Sequence, residues 1–406
     1  MKFFEDTEGL TEARGFFCSG VHSDVRGKRN GRLDLGIVYS QRPCSAAGVF
    51  TTNDVKAAPV LHGQAILSKG GKKFHAIVAN SGNANACTGE QGETDVHTMA
   101  SETARQLDLE PEQVFVCSTG RIGEPLPMSR ITAGIHDAAQ DLKDEVDGGP
   151  AFQRAILTSD TTTKSCLAEF DTPEGTVHVT GVAKGSGMIE PNMATMLAFL
   201  TTDAAISPKL LQQLLGDATA KTFNRITIDG DMSTNDTVLI LANGFSGITI
   251  SEKDPNTLDA FREAVEKVCS CLARKMVGDG EKVTKLVELI VEGAPDEATA
   301  EKVARAIANS LLVKTSWYGS DPNWGRIVDA AGYAKVGVDF EKMELFYGEV
   351  GVLQEGKPLL RNKDKWKEVV SGKQFTIRLN LNLGQGSFRL LTSDLSEAYV
   401  GFNKSE

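Results

Sequence analysis

Alternating apolar and polar positions predict several β-strands along the chain. The β-branched runs "FHAIVAN" (Phe74 to Asn80) and "VFVCSTG" (Val114 to Gly120) predict buried strands that end in turns of small residues. The segment "NDTVLILANG" predicts a third buried strand. In "FTIRLNLNLGQG" every second residue is apolar, which predicts a strand with one buried face.

Three further segments predict amphipathic helices. Between Leu258 and Met276, apolar residues recur at three- and four-residue spacing, and Pro255 suits the start of that helix. The segment "DEATAEKVARAIANSLL" carries its acids at the front end, where the helix dipole favours them. The segment "MSRITAGIHDAAQDL" is the third. Strands and helices alternate irregularly, so the sequence predicts an α/β fold of mixed layers.

Composition narrows the class of protein. The 406 residues are 41% hydrophobic and 24% charged, which is typical of a globular protein with a sizeable core. A net charge of -11 argues against a nucleic-acid or anionic-membrane partner. The first residues, "MKFFEDTEGL", include acids where a signal peptide needs an apolar run. No apolar run approaches the ~18 residues of a membrane span. Seven scattered cysteines without CxxC indicate reduced thiols, so we predict a cytoplasmic protein.

Metal and nucleotide motifs are incomplete. The segment "DGDMSTND" begins like a calcium loop, but Thr234 and Ile240 stand where that loop needs Gly and Glu. The six histidines form no pair at metal-ligand spacing, so we predict no metal site. The segment "KGSGMIEP" contains GxG but lacks the third glycine and the GK[ST] of phosphate-binding loops. The GxSxG motif of serine hydrolases does not occur in the sequence.

One threonine stands out in "KGSGMIEPNMATMLAFLTTDA". Thr195 has no histidine or aspartate near it along the chain to activate its hydroxyl. A threonine at a chain start can use its own amine, with a pKa of about 8, as the base. That would require cleavage after Ala194, by attack of the hydroxyl on the preceding carbonyl. Taken alone, the residues favour an ordinary strand with Thr195 as a β-branched member.

Five segments resemble, in the same order, signatures of the ornithine acetyltransferase family (ArgJ; bifunctional glutamate N-acetyltransferase / amino-acid acetyltransferase). They are "VANSGNANACTG", "CSTGRIGEPLPM", "KGSGMIEPNMATMLAFLTTDA", "NRITIDGDMSTNDT" and "LVKTSWYGSDPNWGRI". The resemblance covers nearly the whole chain. It implies a layered α/β sandwich of the self-processing N-terminal-nucleophile type with two interlocked subdomains. Self-cleavage would give an α chain, 1–194, and a β chain, 195–406, paired as an α2β2 heterotetramer.

The resemblance also implies a reaction in arginine biosynthesis. An acetyl group would pass from N2-acetyl-L-ornithine to L-glutamate by a ping-pong mechanism through an acetyl-threonine ester. Some members of the family also take the acetyl group from acetyl-CoA, and the sequence leaves open whether this chain does. No bound cofactor is implied.

Site residues follow from matching each family motif to this chain. Thr195 would be the nucleophile of cleavage and transfer, and Thr119 and Gly120 would be the oxyanion donors. The implied substrate-binding residues are Thr158, Lys184, Thr195, Glu281 and Asn403. A lysine suits a substrate carboxylate, and a glutamate suits the ornithine ammonium.

The chain departs from the family at two points. Ser159 stands where the family usually has a threonine, and the chain ends at Glu406, three residues after Asn403. The family usually runs a little further to a terminal Ser or Thr that lines the site. Ser405 is the nearest substitute, but the sequence does not fix its register.

Two other classes of function stay open on the sequence. The first is an N-terminal-nucleophile amidohydrolase or aminopeptidase, in which water replaces glutamate as acceptor. The second is a non-catalytic binding protein in which Thr195 remains internal. An acceptor assay separates the first from a transferase, and the mass of the purified chain separates the second.

Overall fold

A computed structural model describes residues 1–28, 30–142, 147–190 and 196–404. The chain divides into two compact units, each assembled from three stretches of sequence. Unit 1 comprises Met1–Gly185, Asn192–Asn224 and Asp231–Met276, and unit 2 comprises Ser186–Pro191, Arg225–Gly230 and Val277–Glu406. Both predicted cleavage products, 1–194 and 195–406, would therefore contribute residues to unit 1. The cleavage itself stays a prediction.

Unit 1 contains most of the strands. Its strands are β1 (Lys2–Glu5), β2 (Phe16–Val21), β3 (Leu35–Phe50), β4 (Lys72–Asn83), β5 (Val114–Arg121), β6 (Lys164–Thr172), β7 (Gly175–Lys184), β8 (Leu197–Thr202), β9 (Ala205–Ile206), β10 (Thr237–Ala242) and β11 (Thr249–Ile250). Its helices are α1 (Ala58–Ser68), α2 (Gly89–Leu107), α3 (Met128–Gln140), α4 (Gly148–Ala155), α5 (Pro208–Lys221) and α6 (Pro255–Gly278), the last of which ends just inside unit 2.

The main sheet of unit 1 is mixed. Within the described residues it has nine strands in the order β1-β6-β7-β8-β10-β3-β4-β5, with β2 also paired to β3. The pairs β4–β5 and β8–β10 are parallel, and the other pairs of this sheet are antiparallel. Parallel neighbours bring their carboxyl ends to the same edge, so β4 and β5 end side by side.

Successive residues of the central strands enter different cores. In β4, Ile77 packs in the cluster that contains Phe152 of α4, whereas Val78 packs with Met99 of α2 and Ile131 of α3. Burying each such side chain contributes about 1.5–3 kcal/mol. Because side chains alternate across a strand, a continuous apolar run requires cover on both faces. Helices on both faces of the sheet confirm the layered α/β class predicted from the sequence.

Unit 2 is built on a second sheet. Its elements are β12 (Leu286–Ala294), α7 (Glu297–Ala308), α8 (Leu311–Tyr318), α9 (Trp324–Tyr333), β13 (Glu344–Tyr347), β14 (Val350–Gln354), β15 (Lys357–Pro358), α10 (Lys363–Ser371), β16 (Gln374–Asn380), β17 (Gly386–Ser393) and α11 (Glu397–Phe402). In the part of unit 2 that is described, six strands run in the order β15-β14-β13-β16-β12-β17. Ile377 and Leu379 of β16 are fully buried in its core, as the alternating pattern predicts.

The predicted elements are present, with two differences in extent. Strands β4, β5, β10 and β16 and helices α3 and α6 are confirmed, although β16 ends at Asn380, before the last alternating leucines. The segment "DEATAEKVARAIANSLL", predicted as one helix, forms the two helices α7 and α8. Asp296 caps α7 by accepting the N–H of Thr299 at 2.7 Å, and the backbone turns extended at Ser310, which caps α8. A side-chain cap inside the segment therefore interrupts the helical pattern.

Candidate active site

The predicted oxyanion turn lies at the carboxyl end of β5. Thr119 is buried, and Gly120 pairs with Gly82 of the parallel neighbour β4. Gly120 has φ 134°, and a Cβ placed there would lie 2.3 Å from the carbonyl carbon of Gly82. Only glycine fits both this backbone conformation and this close approach. The sequence "STG" therefore folds into a tight strand end that aims the Thr119 side chain and the local backbone in fixed directions.

An asparagine that the sequence analysis missed holds this turn in place. The Asn235 side-chain amide donates hydrogen bonds to the Ser118 carbonyl at 2.9 Å and to the Ala84 carbonyl at 2.6 Å. The Ser118 hydroxyl in turn donates to Asn80 Oδ1 at 2.7 Å. The residue before Thr119 is thus fixed from two sides. The only sequence signal was that the polar string "STND" stands directly before the apolar strand "TVLILA".

Lys184, predicted to bind substrate, is the last residue of β7 and is only 2% exposed. Its ammonium donates to Thr119 Oγ1 at 3.3 Å and lies 4.0 Å from Asp160 Oδ2. An ammonium has donors only, so Thr119 is the acceptor in this bond. The proton of the Thr119 hydroxyl is therefore directed towards some other group. The structure brings two predicted site residues together through a contact that their positions in sequence did not show.

Asp160 anchors the lysine and was not predicted. Its carboxylate accepts the backbone N–H groups of Gly185 at 2.7 Å and Thr158 at 3.1 Å, and the Lys164 ammonium at 2.8 Å. Burial alone would raise the pKa of Asp160, but the charges of Lys184 and Lys164 outweigh it and hold the pKa below its usual range. The predicted substrate residue Thr158 is half-buried beside it. The four-residue spacing of Asp160 and Lys164 was the available signal.

A second buried carboxyl lies beside the predicted cleavage point. Ala194 and Thr195 are outside the described residues, but the next residue, Met196, donates its N–H to Asp236 Oδ1 at 2.9 Å. Burial raises the pKa of Asp236 well above its usual value, against the opposing effects of the Met196 N–H and the Lys184 charge. Burial therefore favours the protonated form of Asp236, whose hydrogen-bond partner Met196 directly follows the predicted nucleophile in the chain.

The other two predicted site residues lie in unit 2. The Asn403 side-chain amide lies 3.5 Å from Glu281 Oε2, a weak hydrogen bond, and also donates to the Tyr399 carbonyl at 2.9 Å. The Glu281 N–H donates to the Ser186 carbonyl at 2.7 Å, and a Cβ on Gly187 would lie 2.6 Å from the Glu281 carboxylate. Unit 2 thus brings Glu281 and Asn403 together. Ser405 lies outside the described residues.

Two other kinds of feature are absent from the residues that the structure describes. No three His, Cys, Asp or Glu side chains in those ranges are grouped so that they could hold a metal ion. Among the helices that the structure describes, none is long and apolar enough to cross a membrane.

A buried lysine at the end of β7 lies beside a threonine hydroxyl and a glycine turn at the end of β5. They define an α/β protein whose candidate site suits acyl transfer. A family model described as the ArgJ family matches residues 17–405. The chain therefore belongs to the ArgJ family, and the resemblance seen in its motifs is confirmed.

Two bacterial relatives match this chain over nearly its full length. The arginine biosynthesis bifunctional protein ArgJ of Thermotoga neapolitana is 45% identical over 96% of this chain and 98% of its own. The protein of the same name from Bacillus subtilis is 42% identical over 98% of this chain and 96% of its own. The crystal structure of ornithine acetyltransferase complexed with ornithine from Mycobacterium tuberculosis is 37% identical, covers 47% of this chain and 98% of that chain, and has a TM-score of 0.43.

Proposed function

We propose that this protein transfers an acetyl group from N2-acetyl-L-ornithine to L-glutamate through an ester on Thr195, after self-cleavage between Ala194 and Thr195. The observation that carries the proposal is the hydrogen bond from Lys184 to Thr119. Thr119 stands at the end of a strand, directly before a position that only glycine can occupy. Membership of the ArgJ family supports the same reaction.

The first half-reaction forms the ester. The Thr195 hydroxyl attacks the acetyl carbonyl, the C–O bond forms, and the amide C–N bond of acetylornithine breaks. The new Thr195 amine takes the hydroxyl proton and passes it to the departing ornithine amine. In the second half-reaction the glutamate amine attacks the ester, the new amide C–N bond forms, and the ester C–O bond to Thr195 breaks. The proton lost by the glutamate amine passes to the Thr195 oxygen. Cleavage supplies the base that the sequence around Thr195 lacks.

Thr119 and Gly120 stabilise the negative oxygen that develops in both steps. Thr119 accepts from Lys184, so its own proton is free to be given to the oxyanion. The positive charge behind the hydroxyl strengthens that donor, because the site is buried and the local dielectric is low. Asp160 keeps the ammonium in place and offsets the cost of burying it. Contacts of Thr158, Lys184, Glu281 and Asn403 with substrate are part of this proposal.

The reaction is tested with N2-acetyl-L-ornithine labelled in its acetyl group. With L-glutamate present, we expect labelled N-acetylglutamate and free ornithine. Without glutamate, the fragment that begins at Thr195 should gain the mass of one acetyl group. Labelled acetate in place of N-acetylglutamate would establish a hydrolase and overturn the transferase.

Self-cleavage is tested by intact mass under denaturing conditions. We expect two fragments that sum to the 43.5 kDa chain plus one water, with Thr195 at the new amino terminus. Thr195→Ala should give a single full-length chain without acetyl transfer. A single mass in the wild type would support a protein with an internal threonine and would remove the proposed base. The α2β2 assembly and the cytoplasmic location stay predictions.

A further inference from the structure

Residues 186–190 directly follow β7 in the chain and are held within unit 2 through their backbone. The carboxylate of Asp229 accepts two consecutive N–H groups, that of Met188 at 2.6 Å and that of Ile189 at 2.8 Å. One side chain thus uses both of its oxygens on neighbouring peptide groups. Hydrogen bonds to an ionised carboxylate are stronger than bonds between neutral groups, so this double contact is a firm attachment.

Other contacts of unit 2 hold the same residues. The Ile228 N–H donates to the Ile189 carbonyl at 2.7 Å, and the Glu281 N–H donates to the Ser186 carbonyl at 2.7 Å. The Ile189 side chain is fully buried. The backbone is therefore fixed from Ser186 to Ile189.

The next residue, Glu190, is held by its side chain. The Arg305 guanidinium of α7 donates to Glu190 Oε1 at 3.1 Å. The exposed fraction is 20% for the Arg305 side chain and 14% for that of Glu190, so solvent screens this ion pair less than it screens a surface pair. The charges of Asp229 and Glu190 also act on the buried ammonium of Lys314 and oppose the lowering of its pKa by burial. We call Asp229 and Arg305 the anchor of residues 186–190.

The anchored residues include a strained backbone position at Met188. Its φ of 57° lies in the left-handed region, which is unfavourable for residues with a Cβ. Met188 is 38% exposed, so packing of its side chain is a weak reason for this conformation. Two consecutive N–H groups point at one anion in turns of this kind. The Asp229 carboxylate therefore stabilises the strained conformation of Met188.

The anchor lies close in sequence to the predicted cleavage point. Four residues separate Glu190 from Thr195, and the first of them is a proline, whose ring restricts the backbone. Self-cleavage requires the Thr195 hydroxyl to meet the Ala194 carbonyl in one geometry. Each free backbone residue near the bond must give up conformational entropy to reach that geometry. A chain that is already ordered up to Glu190 gives up less.

We propose that Asp229 and Arg305 are positioning residues for self-cleavage before Thr195. The inference rests on the function proposed above. Thr195 Oγ attacks the Ala194 carbonyl carbon, a C–O bond forms, the peptide C–N bond breaks, and the hydroxyl proton passes to the nitrogen. Water then hydrolyses the ester, which leaves a carboxyl group on Ala194 and restores the Thr195 hydroxyl. The anchor acts by ordering the chain that leads to this bond.

The test follows cleavage of the full chain by intact mass during a time course of cell-free synthesis. Asp229→Ala should lower the cleavage rate about 10- to 100-fold, as for loss of hydrogen bonds to a charged group. Asp229→Asn keeps one of the two acceptors and should cleave at an intermediate rate. Arg305→Met releases a side chain but no backbone group, so it should slow cleavage less than Asp229→Ala does.

Two control variants change unit 2 elsewhere. Asp339→Ala removes another carboxylate that accepts a backbone N–H, that of Glu341 at 3.2 Å. Ile377→Val removes a buried methylene from β16 and lowers the stability of unit 2 without removing a hydrogen bond. Both controls should cleave at the wild-type rate.

Met188→Gly tests whether Asp229 acts through the backbone conformation. Glycine adopts a φ of 57° without strain, so it depends less on the anchor. The loss of cleavage rate caused by Asp229→Ala should therefore be smaller in the Met188→Gly chain than in the wild type. Equal losses in the two chains would contradict this role of Asp229.

The remaining outcomes separate the anchor from the proposed function. A wild type that stays uncleaved would reject the self-cleavage itself. A cleaved wild type with Asp229→Ala cleaved equally fast would reject only the anchor. If Asp229→Ala fails to fold, a wild-type rate for Asp229→Asn would reject it instead. Slowing by Ile377→Val as large as that by Asp229→Ala, at equal loss of stability in urea, would show that cleavage follows the stability of unit 2 and would overturn the inference.

Discussion

The ammonium group of Lys184 donates a hydrogen bond of 3.3 Å to the hydroxyl oxygen of Thr119. The two residues are 65 positions apart in sequence, and the sheet brings them together because β7 and β5 both end at this site. The bond fixes which way the Thr119 proton can point. Lys184, which the sequence predicts to contact substrate, therefore has a second effect. It orients the Thr119 hydroxyl and makes that hydroxyl a stronger hydrogen-bond donor.

Thr119→Ala removes that donor and should lower kcat/KM for acetyl transfer by roughly 10²-fold. The fold should persist, because Asn235 and the glycine at position 120 still define the turn. Steady-state kinetics with acetylornithine and glutamate measure the effect. Thr119→Ser keeps the hydroxyl and should recover most of the rate. An alanine variant as active as the wild type would give Thr119 a structural role alone.

Asp160→Asn should destabilise unit 1 by about 3–5 kcal/mol, because it leaves two buried ammonium groups without a full counter-charge. The side chains of Asp160 and Lys164 are fully buried, and that of Lys184 is 2% exposed. Urea unfolding followed by circular dichroism measures the loss. Glu266→Gln breaks the exposed Lys221–Glu266 pair and is the control, with an expected cost of no more than about 1 kcal/mol.

The same variant predicts a pH dependence. The folded-state pKa of Asp160 is depressed, so its stabilising effect is present above the unfolded pKa of about 3.9 and is lost as the pH falls towards the folded value. The stability difference between wild type and Asp160→Asn should therefore shrink below about pH 4. A difference that stays constant into the acid range would show that the charge of Asp160 is not its contribution.

The sequence was most informative where a segment follows one clear pattern of apolar residues. The apolar runs of β4, β5 and β10 and the stripe of α6 follow from side-chain geometry alone, so their type and place were predictable. The boundaries of the two units were not predictable, because each unit draws on three separated stretches and nothing local marks where the chain leaves one for the other.

The candidate site was predictable only in part, for a related reason. Thr119, Gly120, Thr158 and Lys184 came from motif resemblance, which names residues but not their contacts. Asp160 is a polar residue in a polar stretch, and nothing before folding shows that it becomes buried between two lysines. Such pairing depends on sheet order and register, which are long-range properties.

Lys314 of α8 predicts a change of stability with alkaline pH. It is buried in unit 2, where it donates to the Ser393 carbonyl at 2.5 Å and to the Thr392 hydroxyl at 3.2 Å. Burial lowers its pKa to about 8, against the opposing charges of Asp229 and Asp394. As the pH rises, Lys314 loses its proton at a lower pH in the folded state than in the unfolded state. Stability due to Lys314 is therefore present above the unfolded pKa of about 10.4 and is lost as the pH falls through about 8.

Lys314→Met isolates this contribution. The stability of wild type minus that of the variant should rise by up to about 1.4 kcal/mol per pH unit between about pH 8 and 10.4. Urea unfolding across that range supplies the two curves. Lys302→Met, which removes an exposed lysine of α7, controls for the loss of one positive charge. Parallel curves for wild type and Lys314→Met would mean that Lys314 stays charged in the folded protein.

Asp236 predicts a change of stability with pH that is separate from its role in the predicted cleavage. Its raised pKa keeps a proton in the folded state that the unfolded state loses above about pH 3.9, so wild-type stability falls as pH rises towards the folded value. Asp236→Asn has no such proton linkage. It should be as stable as wild type near pH 4 and increasingly more stable at higher pH, as chemical denaturation would show.

Cleavage depends on a different property of the same side chain. Asp236 Oδ1 accepts the Met196 N–H, and an asparagine oxygen can accept the same hydrogen bond. We therefore expect Asp236→Asn to cleave before Thr195 at a near wild-type rate and Asp236→Ala to cleave slowly, because alanine leaves the Met196 N–H without this acceptor. A mass-spectrometric time course after rapid purification compares the two. If both variants are equally slow, the carboxyl proton takes part in cleavage, and Asp236 is more than a positioning residue.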